Sequence, residues 1–268
     1  MAAATGRPFT LRSLPNGWTV GRFTALTRVP GVVHAVTTRS GPAFGPSATS
    51  PQTAAAVGEI SLALGLREAA WCHQVHGHEV VCVTCGGLAG HADALVTETP
   101  GVGLVGRSAD GPLVLAAAPK AGAVGVAHAS WRGTVRQVTA HLVSELTGRF
   151  GALPGEIVAG IAPSAGPCCY EVGPEVLAAA REGIGPHAAE FFRERRGHLT
   201  FDLWAANYDQ LLSGGVLEEN IQVAGLCTLC RNDVFPSHRR EGAAAGRFAA
   251  VIALAPDAAA GPGAPAIA

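Results

Sequence analysis

GLVGRSADGPLVLAAAPKAGAVGVAHASWRGTVRQVTAHLVSELTGRF, residues 103–150, holds three short, mostly apolar runs separated by glycine and proline: Gly103 to Ser108, Leu113 to Ala118 and Ala123 to Ala127. Runs of this length with such punctuation predict strands. Thr134 to Phe150 then changes period, placing Val135, Val138, Leu142, Leu146 and Phe150 on one helical face. His128 therefore falls between a strand end and a helix start, a junction where loops commonly carry function. Outward from this stretch, His78 to Thr84, Ala94 to Thr97, Ile157 to Ile161, Ile221 to Leu226 and Phe248 to Leu254 read as further strands. Ser40 to Gln52 reads as a loop before a short helix over Thr53 to Leu66, Pro174 suits the first turn of another helix, and Asp202 can cap a third. Strands alternating with helices in this way predict an α/β or α+β fold with mixed sheets.

The chain has 268 residues, 48% of them hydrophobic, enough for a sizeable core. A single domain is expected over 1–254, with a flexible Ala/Gly/Pro-rich tail over 255–268 that has too few large apolar groups to offset the entropy of ordering it. The formal net charge is -1 and the basic residues are scattered, so nucleic acid is not an expected partner. Met1 to Thr10 lacks a basic stretch leading into an apolar one, and no segment runs long enough without charge or glycine to span a bilayer. A cytoplasmic protein with reduced thiols and no membrane partner is expected; seven cysteines, an odd count, do not suggest a secreted disulfide framework.

Two segments set an imidazole near a glycine, at or near a turn: Gln74-Val75-His76-Gly77, and His128 through Gly133. Between them lies the acidic turn Ser108-Ala109-Asp110-Gly111-Pro112. His73, His78 and His91 are more simply structural. Trp131 is read first as a packing residue, and Asp110 as a turn cap or a catalytic group. Cys82-x-x-Cys85 and Cys227-x-x-Cys230 could share a tetrathiolate zinc, but the first pair falls in a predicted strand whose alternation points its members apart, so a shared cage is not expected. Cys168 and Cys169 are read as small buried hydrophobes, and Cys227 and Cys230 as structural.

In this order, Thr37-Thr38-Arg39, Gln74 to Gly77, Ala92-Asp93-Ala94-Leu95-Val96-Thr97, Ala109-Asp110, His128 to Gly133, Cys168 to Gly173, Cys227-Thr228, Ser237 to Arg240 and Gly246-Arg247 make the chain resemble the laccase-domain, or multicopper polyphenol oxidoreductase, family. That resemblance implies a four-layer α/β/β/α sandwich with mixed β-sheets. It also implies purine nucleoside phosphorolysis, with adenosine or inosine and phosphate as small-molecule partners, and adenosine deamination as a side activity. The family's zinc ligands are a histidine of the QVHG segment, a cysteine after the Ala-Asp pair and a histidine of a HAGWRG segment. In this chain those positions are His76, Gly111 and His128. Further departures are Ser130 for a usual glycine, and Pro236 and His238 within a Phe-Phe-Ser-Tyr-Arg-Arg pattern; the usual Asn-Leu and Asn-Arg signatures between Gly45 and Leu66 are not visible.

Two imidazoles and a thiolate would leave a fourth zinc position open for water. Loss of the thiolate implies weak zinc binding or a substitute ligand, for which Asp110, Cys72, Cys168 and Cys169 are the options. His76, Asp110 and His128 are thus the expected catalytic residues, and His76 and His128 the expected metal ligands. Arg39, Arg132, Arg239 and Arg240 are the phosphate candidates, because a guanidinium offers a bidentate fork. Two other functions stand beside this one: a catalytically silent binding or regulatory relative, suggested by Gly111, and an amidase-like editing enzyme for cell-wall precursors, suggested by the family alone. Copper is not expected, since no His-x-His pairs are clustered.

Overall fold

Alternation along single strands builds the molecule. The computed structural model describes residues 7–195 and 197–256, so the predicted tail lies outside the described residues from 257 onward. In chain order the elements are β1 (Phe9–Ser13), β2 (Thr19–Phe23), α1 (Thr24–Thr27), β3 (Val32–Thr37), α2 (Pro51–Ala63), β4 (Glu68–His73), β5 (Val80–Cys82), β6 (Gly87–His91), β7 (Ala94–Thr97), β8 (Val102–Ser108), β9 (Leu113–Ala118) and β10 (Ala123–His128). They continue with α3 (Trp131–Val135), α4 (Val138–Phe150), β11 (Val158–Ile161), α5 (Pro174–Gly183), β12 (Phe192–Arg195), β13 (His198–Phe201), α6 (Leu203–Ser213), β14 (Ile221–Val223), α7 (His238–Glu241) and β15 (Phe248–Leu254).

A seven-stranded sheet runs β1-β2-β3-β15-β8-β4-β6, and a six-stranded sheet β14-β11-β9-β10-β7-β5. Both are mixed: β4 is parallel to β6 and β8 while β15 is antiparallel to its two neighbours, and the second sheet has parallel pairs at each end. Leu113, Leu115 and Ala117 of β9 join the core between the sheets, while Val114, Ala116 and Ala118 join a second core beneath α4. β15 does the same, sending Phe248, Ala250 and Ile252 inward and Ala249, Val251 and Ala253 to a third core beneath α2. Strands buried on both faces read as continuous apolar runs, which is why these runs stand out in the sequence. The sheets pack closely at Gly106, where a β-carbon would meet Leu113 at 3.0 Å and Val126 at 3.1 Å.

Several local expectations need correction. The helix predicted over Thr134 to Phe150 is two helices: Ser130 caps α3 by accepting from the Gly133 amide at 3.1 Å, and Gln137 breaks the run with a left-handed backbone, φ 59°. The helix predicted from Thr53 begins at Pro51, because Ser50 accepts from the Thr53 amide at 3.1 Å and proline suits the first turn. β4 and β6 escape prediction, since alanine and glycine dilute their strand signal. Asp202 caps α6 as expected, accepting from the Ala205 amide at 3.0 Å.

Candidate functional site

The carboxyl ends of β4, β8 and β10 open into one cavity of about 430 Å3, lined by Gln74, His76, Arg107 through Gly111, His128, Trp131, Arg132, Tyr170, Arg239 and Arg247 among others. Gln74 prolongs the β4–β8 ladder with its side chain: its amide donates to the Arg107 carbonyl at 2.8 Å and its oxygen accepts from the Arg107 amide at 3.1 Å. The next residues turn sharply. His76 has φ 59°, and the flanking Val75 and Gly77 amides both donate to Asp93 Oδ2, at 3.0 and 2.7 Å.

The other oxygen of Asp93 lies 3.0 Å from His128 Nδ1. One buried carboxylate therefore holds the turn that presents His76 and the ring of His128. The two rings sit edge to face with centroids 5.3 Å apart. Burial on its own would raise the Asp93 pKa, but the His128 hydrogen bond and charge, with the Gly77 and Val75 amides, hold its carboxyl below the usual range. In the neutral ring, a carboxylate acceptor at Nδ1 fixes the proton there and leaves Nε2 as the acceptor. Burial, then the neighbouring His128, lowers the pKa of His76, with Asp93 opposing and Arg132 and Arg247 adding to the fall.

Asp110 completes the wall with φ 96°, a conformation few non-glycine residues adopt. Its Oδ1 accepts from Thr228 Oγ1 at 2.6 Å, its Oδ2 from the Arg239 amide at 2.7 Å, and its carbonyl from the Ala165 amide at 2.8 Å. Those contacts over-determine the strained backbone. Two of the three non-glycine residues with positive φ among the described residues are thus His76 and Asp110.

Cations gather on the same cavity. Arg107 is 6% exposed, donates to the Gly45 carbonyl at 3.1 Å, and its Nε has no partner among the described residues. Neither Arg107 nor Arg247 pairs with a carboxylate among the described residues. Arg132 lies over the Trp131 ring, 4.4 Å from its centroid, and Arg239 lies 5.1 Å from the centroid of Tyr170. Burial pushes the Tyr170 phenol up to about 12.

His76, Asp110, His128, Arg132 and Arg239 come together here. Arg39 does not line the cavity: it pairs with Glu241 and donates to the Asn232 carbonyl. Arg240 likewise donates to the Leu229 carbonyl at 2.8 Å. Sequence reasoning misses Asp93, Arg107 and Arg247 as site residues, although Asp93 and Arg247 stand inside the motifs that carry the family resemblance. His73 and His91 face each other across neighbouring strands, as His78 faces His141, away from the cavity.

The donors present do not make a three-ligand zinc centre at His76 and His128. A β-carbon on Gly111 would lie 2.9 Å from His128 Nε2 and 3.3 Å from Ser108 Oγ, so the His128 ring crowds the place a third ligand would use. Ser108 donates to the Gly111 carbonyl at 2.7 Å, and both Asp110 oxygens are engaged. Cys72 is buried in the core between the sheets. Cys168 and Cys169, expected to be buried, are exposed and partly exposed, and they cluster with Cys227 and Cys230 instead of refilling the gap.

A family model described as multi-copper polyphenol oxidoreductase laccase matches residues 27–255. The chain belongs to this family. Within it, the chain is 37% identical over 244 residues to a purine nucleoside phosphorylase of Deinococcus radiodurans, covering 85% of this chain and 92% of the relative. It is 37% identical over 202 residues to purine nucleoside phosphorylase YlmD of Geobacillus stearothermophilus, covering 71% and 74% of the two chains. The crystal structure of that YlmD superposes with a TM-score of 0.79 at 30% identity, covering 92% of this laccase-family chain and all of the other. The mixed α/β fold is therefore shared. Among the described residues no helix is long and apolar enough to cross a membrane.

Proposed function

We propose that this protein cleaves purine nucleosides by phosphorolysis, taking adenosine or inosine with phosphate to free base and ribose 1-phosphate. The observation that carries the reading is Arg107, a buried guanidinium with no carboxylate partner among the described residues, on a cavity that also receives Arg132, Arg239, Arg247 and two imidazoles. A buried cation without a counter-ion is costly, and a bound phosphate would supply the missing charge. A cavity of about 430 Å3 lies within the range of about 300–1,000 Å3 usual for small-molecule sites. The family's relatives named purine nucleoside phosphorylase support the same reading.

Phosphate attacks the anomeric carbon, a C–O bond forms as the C–N bond to the purine breaks, and the departing base takes up a proton. His128 Nε2 accepts that proton from phosphate and passes it to the base, while Asp93 stabilises the imidazolium between the two transfers. His76, neutral near pH 7, serves as a hydrogen-bond partner for the purine. Asp110 fixes Arg239 through its backbone amide, so its part is to position a phosphate ligand. Arg39 and Arg240 brace the segments behind the cavity.

Purified protein is incubated with adenosine, inosine and methylthioadenosine, with and without phosphate and added zinc. Phosphate-dependent release of free base and ribose 1-phosphate is expected, and Arg107→Gln should raise the KM for phosphate by about tenfold or more. Ammonia release independent of phosphate would replace the reading with deamination. Gly111 favours a second reading, a relative that binds nucleoside without turning it over; turnover by the unmodified protein removes it, and nucleoside binding with neither base nor ammonia released supports it.

A further inference from the structure

Four sulfurs from two remote segments meet behind the cavity wall. Cys168 and Cys169 lie in the turn after β11, where the Cys169 and Tyr170 amides both donate to the Gly166 carbonyl at 2.9 Å. Cys227 and Cys230 follow β14, and a bridge between Ser164 and Cys227 lays the two segments side by side. All four Sγ atoms lie within 4.8 Å of one another, with Cys230 3.5 Å from Cys169 and 3.7 Å from Cys168.

No pair is bonded, and these separations far exceed a disulfide bond of about 2.05 Å. Four thiolates around zinc at about 2.3 Å define a tetrahedron whose edges are about 3.8 Å, close to what the sulfurs already show. Among the described residues, no other set of three or more His, Cys, Asp or Glu brings its ligand atoms so near. Cys227 Sγ also accepts from the Gly166 amide at 3.3 Å, the outer hydrogen bonding that orients a metal-bound thiolate.

We propose that Cys168, Cys169, Cys227 and Cys230 form a tetrathiolate zinc site that ties together two segments of the cavity wall. All four positions are filled by protein, leaving none for water, so the site is structural. The segments it joins are chemically consequential: Tyr170 follows Cys169 and lines the cavity, while Thr228, between the other two cysteines, donates to Asp110. Arg240 reaches the intervening Leu229 carbonyl. The zinc thereby sets the positions of Asp110 and Tyr170 without touching substrate.

The test measures metal and does not depend on the reaction. Full-length protein, purified in reductant and supplied with zinc, is assayed for bound metal by mass spectrometry alongside Cys230→Ser, Cys168→Ser, Cys85→Ser and His76→Ala. One zinc per chain is expected for the wild type, Cys85→Ser and His76→Ala, with affinity falling at least ~10-fold in the other two. Cobalt substituted into the wild type should give the thiolate-to-metal charge-transfer absorption and tetrahedral ligand-field bands of a four-sulfur site, which needs no variant to fold. Wild type that binds neither metal while all seven thiols titrate as free, or zinc lost in His76→Ala and kept in Cys230→Ser, overturns the proposal.

Discussion

Asp93 serves two loops at once. Its two oxygens reach residues 16, 18 and 35 positions away in the chain, so both imidazoles depend on a side chain that is neither. Asp93→Asn keeps the volume but replaces one acceptor with a donor, freeing the Val75–Gly77 turn or favouring the wrong His128 tautomer. Nucleoside turnover should fall by about 10²–10⁴-fold while the far-ultraviolet dichroism is retained; undiminished turnover would show that the dyad has no role in proton transfer. Gly111→Cys brings a β-carbon to 2.9 Å from a ring that Asp93 holds still. It should lower stability by about 1–3 kcal/mol in urea unfolding and leave metal content unchanged. A gain of one further zinc per chain, with faster turnover, would show that the ring yields. His76 and Asp110 are legible in the sequence because each precedes a glycine in a turn, and His128 because it falls between a strand end and a helix start. Asp93 precedes an ordinary short strand, and nothing local in the sequence says how far its carboxylate reaches.

At the scale of single elements, alternation explains both what is legible and what is not. β9, β10 and β15 announce themselves because each feeds two cores, and two cores require apolar residues in succession. The break between α3 and α4 has no such signal: Gln137 adopts φ 59° without a glycine or proline to mark it. The cysteines defeat sequence reading for a related reason, since whether neighbouring thiols share a face depends on turn or strand geometry, which their spacing does not reveal. β10 also dictates how closely α4 can dock. A β-carbon at Gly125 would come within 2.5 Å of Leu142 and 3.2 Å of the Leu95 carbonyl. Gly125→Ala should therefore cost about 1–3 kcal/mol, read as a lower denaturation midpoint with an unchanged slope. An unchanged midpoint would mean that α4 slides freely on the sheet.

For the whole molecule, a buried histidine away from the cavity links stability to acid. His34 is fully buried, its Nε2 accepts from the Phe23 amide at 2.9 Å, and its Nδ1 has no partner among the described residues. Burial, followed by Arg22, lowers its pKa to about 3 from the ordinary 6.5. Between those values the unfolded chain binds the proton and the folded one does not, so stability rises with pH across that window and falls as pH drops from 6.5 towards 3. The lowered pKa values of His76 and His141 act in the same direction, whereas the Asp93 contribution is lost only below its ordinary value of 3.8. Replacing His34 with Gln should remove up to about 1.4 kcal/mol per pH unit from the slope of unfolding free energy between about pH 6 and pH 4.5, and equal slopes in the two proteins would refute the assignment. The mixed sheets are legible at this scale as alternation of strand and helix, but strand order is not, because pairing partners are chosen across the whole chain. β15 sits between β3 and β8, and that placement has a cost during synthesis. On the ribosome, β1 to β3 and the β8-β4-β6 group emerge as separate sheet fragments, each with an open edge, until one of the last strands translated slides between them. A stop codon after Gly246 should therefore send the nascent product into inclusion bodies rather than yield a slightly shorter soluble chain.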